Sequence, residues 1–151
     1  MNATPPIFRR SARTLLFDDA GDLVTIKRTW PGQTPYWTTP GGGVEPEDAN
    51  REAAAAREAG EELGAIVRVG PQVLLVSTQS REGLQVAHFF LSRLIGLDEA
   101  LRTGPELSDP RRGTYELDRI ALADLPNIDL RPIELRDFIL ANTTALLADL
   151  P

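Results

Sequence analysis

Residues 57–64 read REAGEELG and place three acidic residues, Glu58, Glu61 and Glu62, in the last turns of a predicted helix. The C-terminal turn of a helix carries about half a negative charge, so each acid there costs roughly 0.3 to 1 kcal/mol. Positions i, i+3 and i+4 are neighbours on a helix, so the three carboxylates share one side. The segment therefore predicts that cations compensate this cluster.

The composition limits the kinds of partner. A chain of 151 residues with 42% hydrophobic and 25% charged residues fits one compact domain spanning residues 1–151. The net charge of −6 argues against a nucleic-acid polymer, because such binding depends on Lys and Arg neutralising phosphates. The sequence contains no cysteine, which excludes disulfides, thiolate metal sites and cysteine nucleophiles.

Neither export nor membrane insertion is indicated by the apolar segments. Residues 1–14, MNATPPIFRRSART, lack the apolar run of about 7 to 15 residues that a signal peptide needs. No other segment approaches the roughly 18 apolar residues of a membrane-spanning helix. We therefore expect a cytoplasmic protein that does not interact with a membrane.

Strand patterns open the chain. Residues 12–18 and 23–29 are apolar and β-branched runs separated by a turn-forming segment, which predicts a β-hairpin. Residues 30–47 are rich in Pro and Gly, so little regular structure is expected there beyond a short strand at Tyr36 to Thr39.

A helix is predicted from about Asn50 to Leu63, with Asp48 or Asn50 as its N-cap and Gly64 at its end. One face of this helix carries small apolar side chains, namely Ala55, Ala56, Ala59 and Leu63. This face is expected to pack closely against a sheet.

The second half of the chain predicts further strands and a closing helix. Predicted strands lie at about 66–69, 72–79, 85–95 and 114–122. Residues 85–95 are apolar on both faces, which favours a central strand. Residues 97–112 form a polar loop, and residues 131–150 read as a closing helix with Pro132 near its first turn. This order favours a mixed sheet with helices packed on it, an α+β or α/β layered domain.

Acidic residues on a helix are commonly no more than a solvated face. Two features of the surrounding sequence argue against that interpretation here. A glycine-rich segment, TPGGGVEPED at residues 39–48, leads into the same helix, and Arg57 lies four residues before Glu61, within pairing reach. Two carboxylates about 6 Å apart repel by roughly 2.8 kcal/mol at an effective dielectric constant of 20, so a half-buried cluster needs cations.

The glycine-rich segment and the acidic helix together resemble the Nudix hydrolase family. The sequence motif of that family, the Nudix box, is G-x5-E-x7-R-E-U-x-E-E-x-G-U, where U is an aliphatic residue. The second half of the box matches Arg57 to Ala65, with alanine at both aliphatic positions.

The first half of the box departs from the pattern, and two alignments are open. Counting back from Arg57 places the box glutamate at Ala49 and the box glycine at Gly43. Counting forward from Gly42 instead places Asp48 at the acidic position, with one extra residue before Arg57. We favour the second alignment, because Asp48 then replaces the glutamate at the start of the helix.

The resemblance implies an α/β/α sandwich that hydrolyses a diphosphate linked to a moiety X, usually in a nucleoside derivative, with Mg²⁺ or Mn²⁺. It implies that Glu58, Glu61 and Glu62 bind the metal, with the carbonyl of Gly42 as a further ligand. Arg57 would then orient a neighbouring glutamate. Carboxylates suit hard divalent cations, and a single histidine without cysteine argues against zinc.

In this family the residue that activates water is a box glutamate or a residue of a downstream loop. Glu106 is the best loop candidate in this sequence, and Glu116 and Glu82 are weaker candidates. The alternative for Glu106 is an ordinary exposed acid. His88 lies in a very apolar segment, which favours a hydrogen-bonded core residue over a catalyst.

Aromatic and basic residues near the glycine-rich segment are candidates for binding X and the phosphates. A nucleobase could stack on an aromatic ring, although core packing is the commoner role of tryptophan. The aromatic candidates are Trp30, Tyr36 and Trp37. The candidates for phosphate contacts, as opposed to ordinary surface arginines, are Arg28, Arg111 and Arg112.

Two other functions compete with hydrolysis. A Nudix-like module could bind a nucleotide without turnover, and the altered first half of the box favours that alternative. The acidic helix could also be purely structural. For the enzyme, the expected partner is a small nucleotide-type diphosphate, and homodimers are common in the family.

Overall fold

The computed structural model describes residues 5–103, 111 and 113–151. Within those ranges seven strands form one mixed sheet. The strands are β1 (Ile7–Phe17), β2 (Leu23–Thr29), β3 (Tyr36–Thr38), β4 (Gly41–Gly43), β5 (Ala65–Gln79), β6 (Leu84–Leu97) and β7 (Thr114–Ile120). The α-helices are α1 (Arg51–Leu63), α2 (Ile133–Ala141) and α3 (Thr143–Ala148), and short 3₁₀ turns cover Glu99–Leu101 and Leu122–Asn127.

Strand β1 changes partners along its length, and this change creates the site described below. The main strand order is β3-β2-β1-β6-β5, with β7 paired to β2. One edge of β1 pairs with β6 in parallel along most of the strand. On the other edge, Leu16 and Phe17 pair with β2, whereas Ser11 to Arg13 pair with the three glycines of β4. Strand β2 has diverged there to pair with β3 and β7.

The two faces of the sheet carry different helices. Helix α1 lies against Ala12 and Phe90 on one face. On the opposite face, Leu15, Phe17 and Phe89 form a fully buried core with α2 and α3. The α2 and α3 side chains buried in that core are Leu135, Ile139 and Leu146. The predicted α/β/α sandwich with a mixed sheet is thereby confirmed.

Helix α1 begins and ends where the sequence predicts. The side chain of Asn50 accepts a hydrogen bond from the backbone of Ala53 at 2.8 Å, so Asn50 is the N-cap. Gly64 ends the helix with φ 66°, a left-handed conformation that favours glycine. A Cβ there would also lie 2.5 Å from the carbonyl oxygen of Asp98.

The buried face of α1 differs slightly from the predicted one. Ala55, Ala59 and Leu63 are buried, but Ala56 is only half-buried, so its assignment to this face was wrong. Ala54 and Gly60 are buried as well. The face directed at the sheet therefore rotates along the helix, towards Ala54 at the start and towards Gly60 at the end.

Several predicted elements have different bounds in the structure; strand β1, for example, begins at Ile7 and not at residue 12. The strands predicted at 66–69 and 72–79 are one strand, β5, because shifts in its pairing with β6 accommodate Gly70 and Pro71. Proline is tolerated there because β5 lies at the edge of the sheet.

The predicted closing helix is interrupted at Asn142 and forms α2 and α3. The Asn142 amide donates to the carbonyl of Phe138 at 2.9 Å, and the Thr143 hydroxyl donates to that of Ile139 at 2.9 Å. Such side-chain hydrogen bonds compete with the helical backbone pattern.

The expectation of an internal strand at 85–95 is confirmed, since β6 lies between β1 and β5. Among the residues that the structure describes, no helix has the length and apolar character needed to cross a bilayer.

His88 is a buried, hydrogen-bonded residue of β6, with 3% of its surface exposed. Arg10 Nη1 lies 3.0 Å from Nε2 of His88, and Gln72 Oε1 lies 2.8 Å from Nδ1. Arginine can only donate, so Nε2 accepts and Nδ1 carries the proton of a neutral imidazole. The pKa of His88 lies below its ordinary value because of burial, with further contributions from Arg51 and Arg10.

Acid should therefore weaken the fold through His88. A histidine held neutral contributes stability that is complete above its unfolded pKa of about 6.5 and is lost as the pH falls below it. We therefore compare the native chain with His88→Gln. The free energy of unfolding of the native chain minus that of the variant should decrease as the pH falls from about 7.5 to about 5.5, by up to about 1.4 kcal/mol per pH unit. Urea denaturation at both pH values measures this difference. A difference that does not depend on pH would contradict the neutral assignment.

Candidate functional site

The glycine strand β4 and the C-terminal half of α1 form one wall of a cleft of about 280 Å³. Glu58 and Glu62 contribute carboxylates to this cleft, and Arg9, Arg13 and Arg28 contribute guanidinium groups. The cleft therefore combines acidic and basic groups at the point where β4 replaces β2 beside β1.

The absence of side chains on β4 lets its backbone touch the carboxylates. The backbone N–H of Gly41 donates to Oε1 of Glu62 at 2.8 Å. A Cβ on Gly42 would lie 2.5 to 2.6 Å from the carboxyl atoms of Glu58, a distance that real Cβ contacts do not show. Only glycine at position 42 thus allows the Glu58 carboxylate its observed position.

Arg57 joins the acidic residues to the glycine strand. Its Nε and Nη2 donate to the two carboxylate oxygens of Asp48 at 2.9 and 3.0 Å. Its Nη1 donates to Glu58 at 3.1 Å and to Glu61 at 3.2 Å, and its Nη2 also donates to the carbonyl of Gly43 at 3.1 Å. A single guanidinium therefore holds together the loop, the helix and β4.

The two alignments of the first half of the box place different residues beside Arg57. Asp48 makes the two-pronged contact with Arg57, whereas Ala49 is exposed. The hydrogen bond from Arg57, together with one from the backbone of Glu45, holds the pKa of Asp48 below its ordinary value. The geometry favours the alignment in which Asp48 takes the acidic position.

Glu58 is a largely buried carboxylate. Its side chain is 15% exposed. Burial raises the pKa of Glu58, the neighbouring charges of Glu61 and Glu45 raise it further, and Arg57 opposes this shift. A carboxylate with little hydration and an incompletely matched charge is a favourable position for an additional cation.

The structure separates the three glutamates that the helix pattern groups together. Glu58 and Glu62 line the cleft, whereas Glu61 lies beside Arg57 next to a neighbouring hollow lined by Gly60 and Leu101. In the described ranges no three His, Cys, Asp or Glu side chains are arranged so that they could already hold a metal ion. The shared contact with Arg57 nevertheless keeps Glu61 close to Glu58.

The loop and strand residues predicted as candidates for activating water either lie outside the cleft or fall outside the described residues. Glu106 falls outside the described residues. Glu82 is exposed in the turn between β5 and β6, and Glu116 is exposed on β7 opposite Lys27; neither lines the cleft. Among described residues, the carboxylates in the cleft are therefore those of Glu58 and Glu62.

Cations of the protein itself lie over each of the predicted aromatic side chains. Arg28 is 5.1 Å from the ring of Trp30, and Arg131 is 4.1 Å from that of Tyr36. Lys27 lies 5.6 Å from the ring of Trp37. The indole N–H of Trp37 also donates to Asp118 at 2.8 Å.

Of the predicted arginines, Arg28 lines the cleft and stacks 3.6 Å from Tyr115, Arg111 does not line it, and Arg112 falls outside the described residues. Arg9, Arg13 and Tyr115 also line the cleft and were not predicted from the sequence. Arg9, Ser11 and Arg13 alternate along β1 and so point to one face of the sheet. That period of two was the signal that could have identified the pair of arginines.

The Asp48 contact gives a direct test of how the box is built. We expect Asp48→Asn to lower the free energy of unfolding by about 1 to 3 kcal/mol, because it weakens hydrogen bonds to a charged partner. Glu47→Gln, a neighbouring exposed acid, should change it by less than about 0.5 kcal/mol. Urea denaturation near neutral pH compares the two variants. Equal effects would show that the contact between Asp48 and Arg57 does not stabilise the fold.

Comparisons with known proteins bear on the fold and the family of the chain. The family model described as NUDIX domain matches residues 7–135. The E. coli ORF135 protein has 20% identity and a TM-score of 0.64, covering 91% of each chain. A MutT NUDIX hydrolase from Burkholderia pseudomallei has 25% identity and a TM-score of 0.59, covering 85% of this chain and 94% of its own. A binary complex of a C. elegans Ap4A hydrolase has 18% identity and a TM-score of 0.64, covering 93% and 98%.

No curated protein matches the sequence of this chain. The structural likenesses below 25% identity establish the fold, and the family model covers most of the chain from β1 to α2. The chain therefore belongs to the NUDIX domain family and is a Nudix hydrolase.

Proposed function

We propose that the protein hydrolyses a diphosphate linkage in a nucleoside diphosphate joined to a moiety X. The observation that carries this proposal is the contact between the carboxylates of Glu58 and Glu62 and the bare backbone of β4, in a cleft that also contains arginines. Carboxylates that face guanidinium groups across a cleft suit a metal-bound polyphosphate.

The donor set fits a hard divalent cation. The proposed ligands are the carboxylates of Glu58, Glu61 and Glu62 and the carbonyl of Gly42, and all of them are oxygen donors. The close approach of Gly42 to Glu58 and the raised pKa of Glu58 support this assignment. When bound, Mg²⁺, or Mn²⁺ in its place, would neutralise phosphate charge and lower the pKa of bound water.

The residues of the chain have distinct proposed roles in the reaction. Arg57 positions Glu58 and Glu61 without touching the substrate. A water oxygen forms a new bond to phosphorus, the bridging P–O bond breaks, and its electron pair leaves on the oxygen of the departing phosphate. A box glutamate or Glu106 accepts the proton of the attacking water.

The rival proposal, a module that binds a nucleotide without turnover, depended on the irregular first half of the box. Asp48 makes a two-pronged contact with Arg57, so the extra residue does not separate the acidic position of the box from Arg57. The observed geometry therefore favours hydrolysis over binding alone.

The proposal covers the chain as a single domain, residues 1–151, acting on a small molecule in the cytoplasm. A net charge of −6 is consistent with a small substrate whose phosphates are neutralised locally, and not with a nucleic-acid polymer. The proposal includes a possible homodimer, the assembly that the resemblance to the family suggests.

Substitution of the proposed ligands tests this function. We expect Glu58→Gln, Glu61→Gln and Glu62→Gln each to lower kcat/KM by about 100-fold or more, because an amide is a poorer ligand for Mg²⁺ than a carboxylate. A panel of nucleotide sugars, ADP-ribose, nucleoside triphosphates and dinucleoside polyphosphates, assayed with Mg²⁺ and with Mn²⁺, provides the substrate.

Glu52→Gln is the matched control, because it removes the same charge from an exposed position in the first turn of α1. It should retain activity within about twofold, as expected for an exposed position away from the site. Full activity in Glu58→Gln and Glu62→Gln would refute the assignment of the site. Nucleotide binding without turnover in the native protein would instead support the rival proposal.

A further inference from the structure

A second cavity of about 260 Å³ adjoins the cleft. The two cavities share Arg9, Arg13 and Thr38 in their walls. The two arginines therefore stand between the carboxylates of Glu58 and Glu62 on one side and the second cavity on the other. A ligand that begins at the carboxylates can extend past Arg9 and Arg13 into this cavity.

The second cavity lies on the face of the sheet that also carries α2. Arg9 is in register with Gln85 of β6, and Ser11 is in register with Ala87. Ala87 is paired in turn with Val76 of β5, so three adjacent strands supply the floor. Because Arg9 to Arg13 pair in continuous register with β6, the backbone positions of both arginines are set by the sheet.

No acidic side chain lines the second cavity among the residues described. Arg131, at its far end, is already paired with Asp129 at 2.9 Å and stacked on Tyr36. Arg9 is exposed, and its guanidinium lies against Gly43 and makes no hydrogen bond or ion pair within the described part of the chain. Arg13 donates one hydrogen bond, to the carbonyl of Thr39 at 3.0 Å. The shared wall thus carries positive charge without a matching carboxylate on the side of the second cavity.

The second cavity suits an anion better than a nucleobase. Its aromatic residue, Phe89, is fully buried and offers no open ring face. The polar groups around it include the hydroxyls of Ser11 and Thr38, which can donate to phosphate oxygens. Guanidinium groups bind phosphate through charge-assisted, often two-pronged hydrogen bonds.

We propose that Arg9 and Arg13 bind a further phosphate group of the substrate, beyond the two phosphates of the cleaved linkage. This inference rests on the proposed function and narrows its substrate class. The moiety X then begins with phosphate, so nucleoside triphosphates and dinucleoside polyphosphates are preferred over nucleotide sugars and ADP-ribose.

Binding of inorganic probes to the full chain tests the inference without requiring nucleotide turnover. Calorimetry with excess Mg²⁺ compares tripolyphosphate with pyrophosphate on the native protein, Arg9→Gln and Arg68→Gln. Arg68 is exposed on β5 and lines neither cavity, so Arg68→Gln is a control that removes the same charge elsewhere. We expect Arg9→Gln to weaken tripolyphosphate roughly tenfold and pyrophosphate less than about twofold, and Arg68→Gln to change neither by more than about twofold.

Equal weakening of both probes by Arg9→Gln, or an effect no larger than that of Arg68→Gln, would overturn the inference. A native protein that binds tripolyphosphate no more tightly than pyrophosphate would overturn it as well. The preference for tripolyphosphate can hold in a protein that hydrolyses nothing, in which case the proposed function fails and the arginine site stands. Conversely, turnover without this preference leaves the function intact and removes only the inference.

A kinetic comparison provides a second readout. Arg9→Gln should lower kcat/KM for a nucleoside triphosphate roughly tenfold more than it lowers kcat/KM for ADP-ribose, because only the former carries a third phosphate. A similar loss on both substrates would contradict the proposed role of Arg9.

Discussion

The arrangement of the site depends on the guanidinium of Arg57. It contacts Asp48 from the entering loop, Glu58 and Glu61 from α1, and the carbonyl of Gly43 from β4. Without it, carboxylates close to the negative end of a helix would repel one another in a partly buried position. Burial, together with the charges of Glu61 and Glu45, raises the pKa of Glu58 even though Arg57 lowers it. Glu58 and Glu62 line the cleft together with arginines, and we propose that a divalent cation binds these carboxylates there.

The change of partner along β1 decides what faces those carboxylates. Because β2 diverges, the edge of β1 at Ser11 to Arg13 is free to pair with three glycines. The glycines bring backbone rather than side chains to Glu58 and Glu62, and the alternation of β1 brings Arg9 and Arg13 into the same cleft. One strand thus supplies the positive side of the site, and α1 supplies the negative side.

The sequence predicted α1, its caps and its acidic face, because capping and helical periodicity depend on residues that are close together in the chain. Local patterns did not predict the strands whose bounds depend on pairing with residues far away in the sequence. Strand β5 was predicted as two strands because Gly70 and Pro71 look like a break, and only its pairing with β6 shows that the strand continues. Strand β4 consists of three glycines, which have low strand propensity. The sequence therefore did not predict this strand or its backbone contacts with Glu58 and Glu62. The spacing placed Asp48 at the acidic position of the box, but it did not show that Asp48 contacts Arg57 or that Glu61 lies beside the cleft instead of in its wall.

The most direct test of this account is a crystal grown or soaked with Mn²⁺, with anomalous scattering used to locate the ion. The account predicts an anomalous peak at the proposed ligands, the carboxylates of Glu58, Glu61 and Glu62 and the carbonyl of Gly42, with Arg57 still bound to Asp48. A well-ordered cleft without any such peak at saturating Mn²⁺ would contradict it, and would mean that the acidic end of α1 is stabilised by groups of the protein alone, such as Arg57 and the backbone N–H of Gly41.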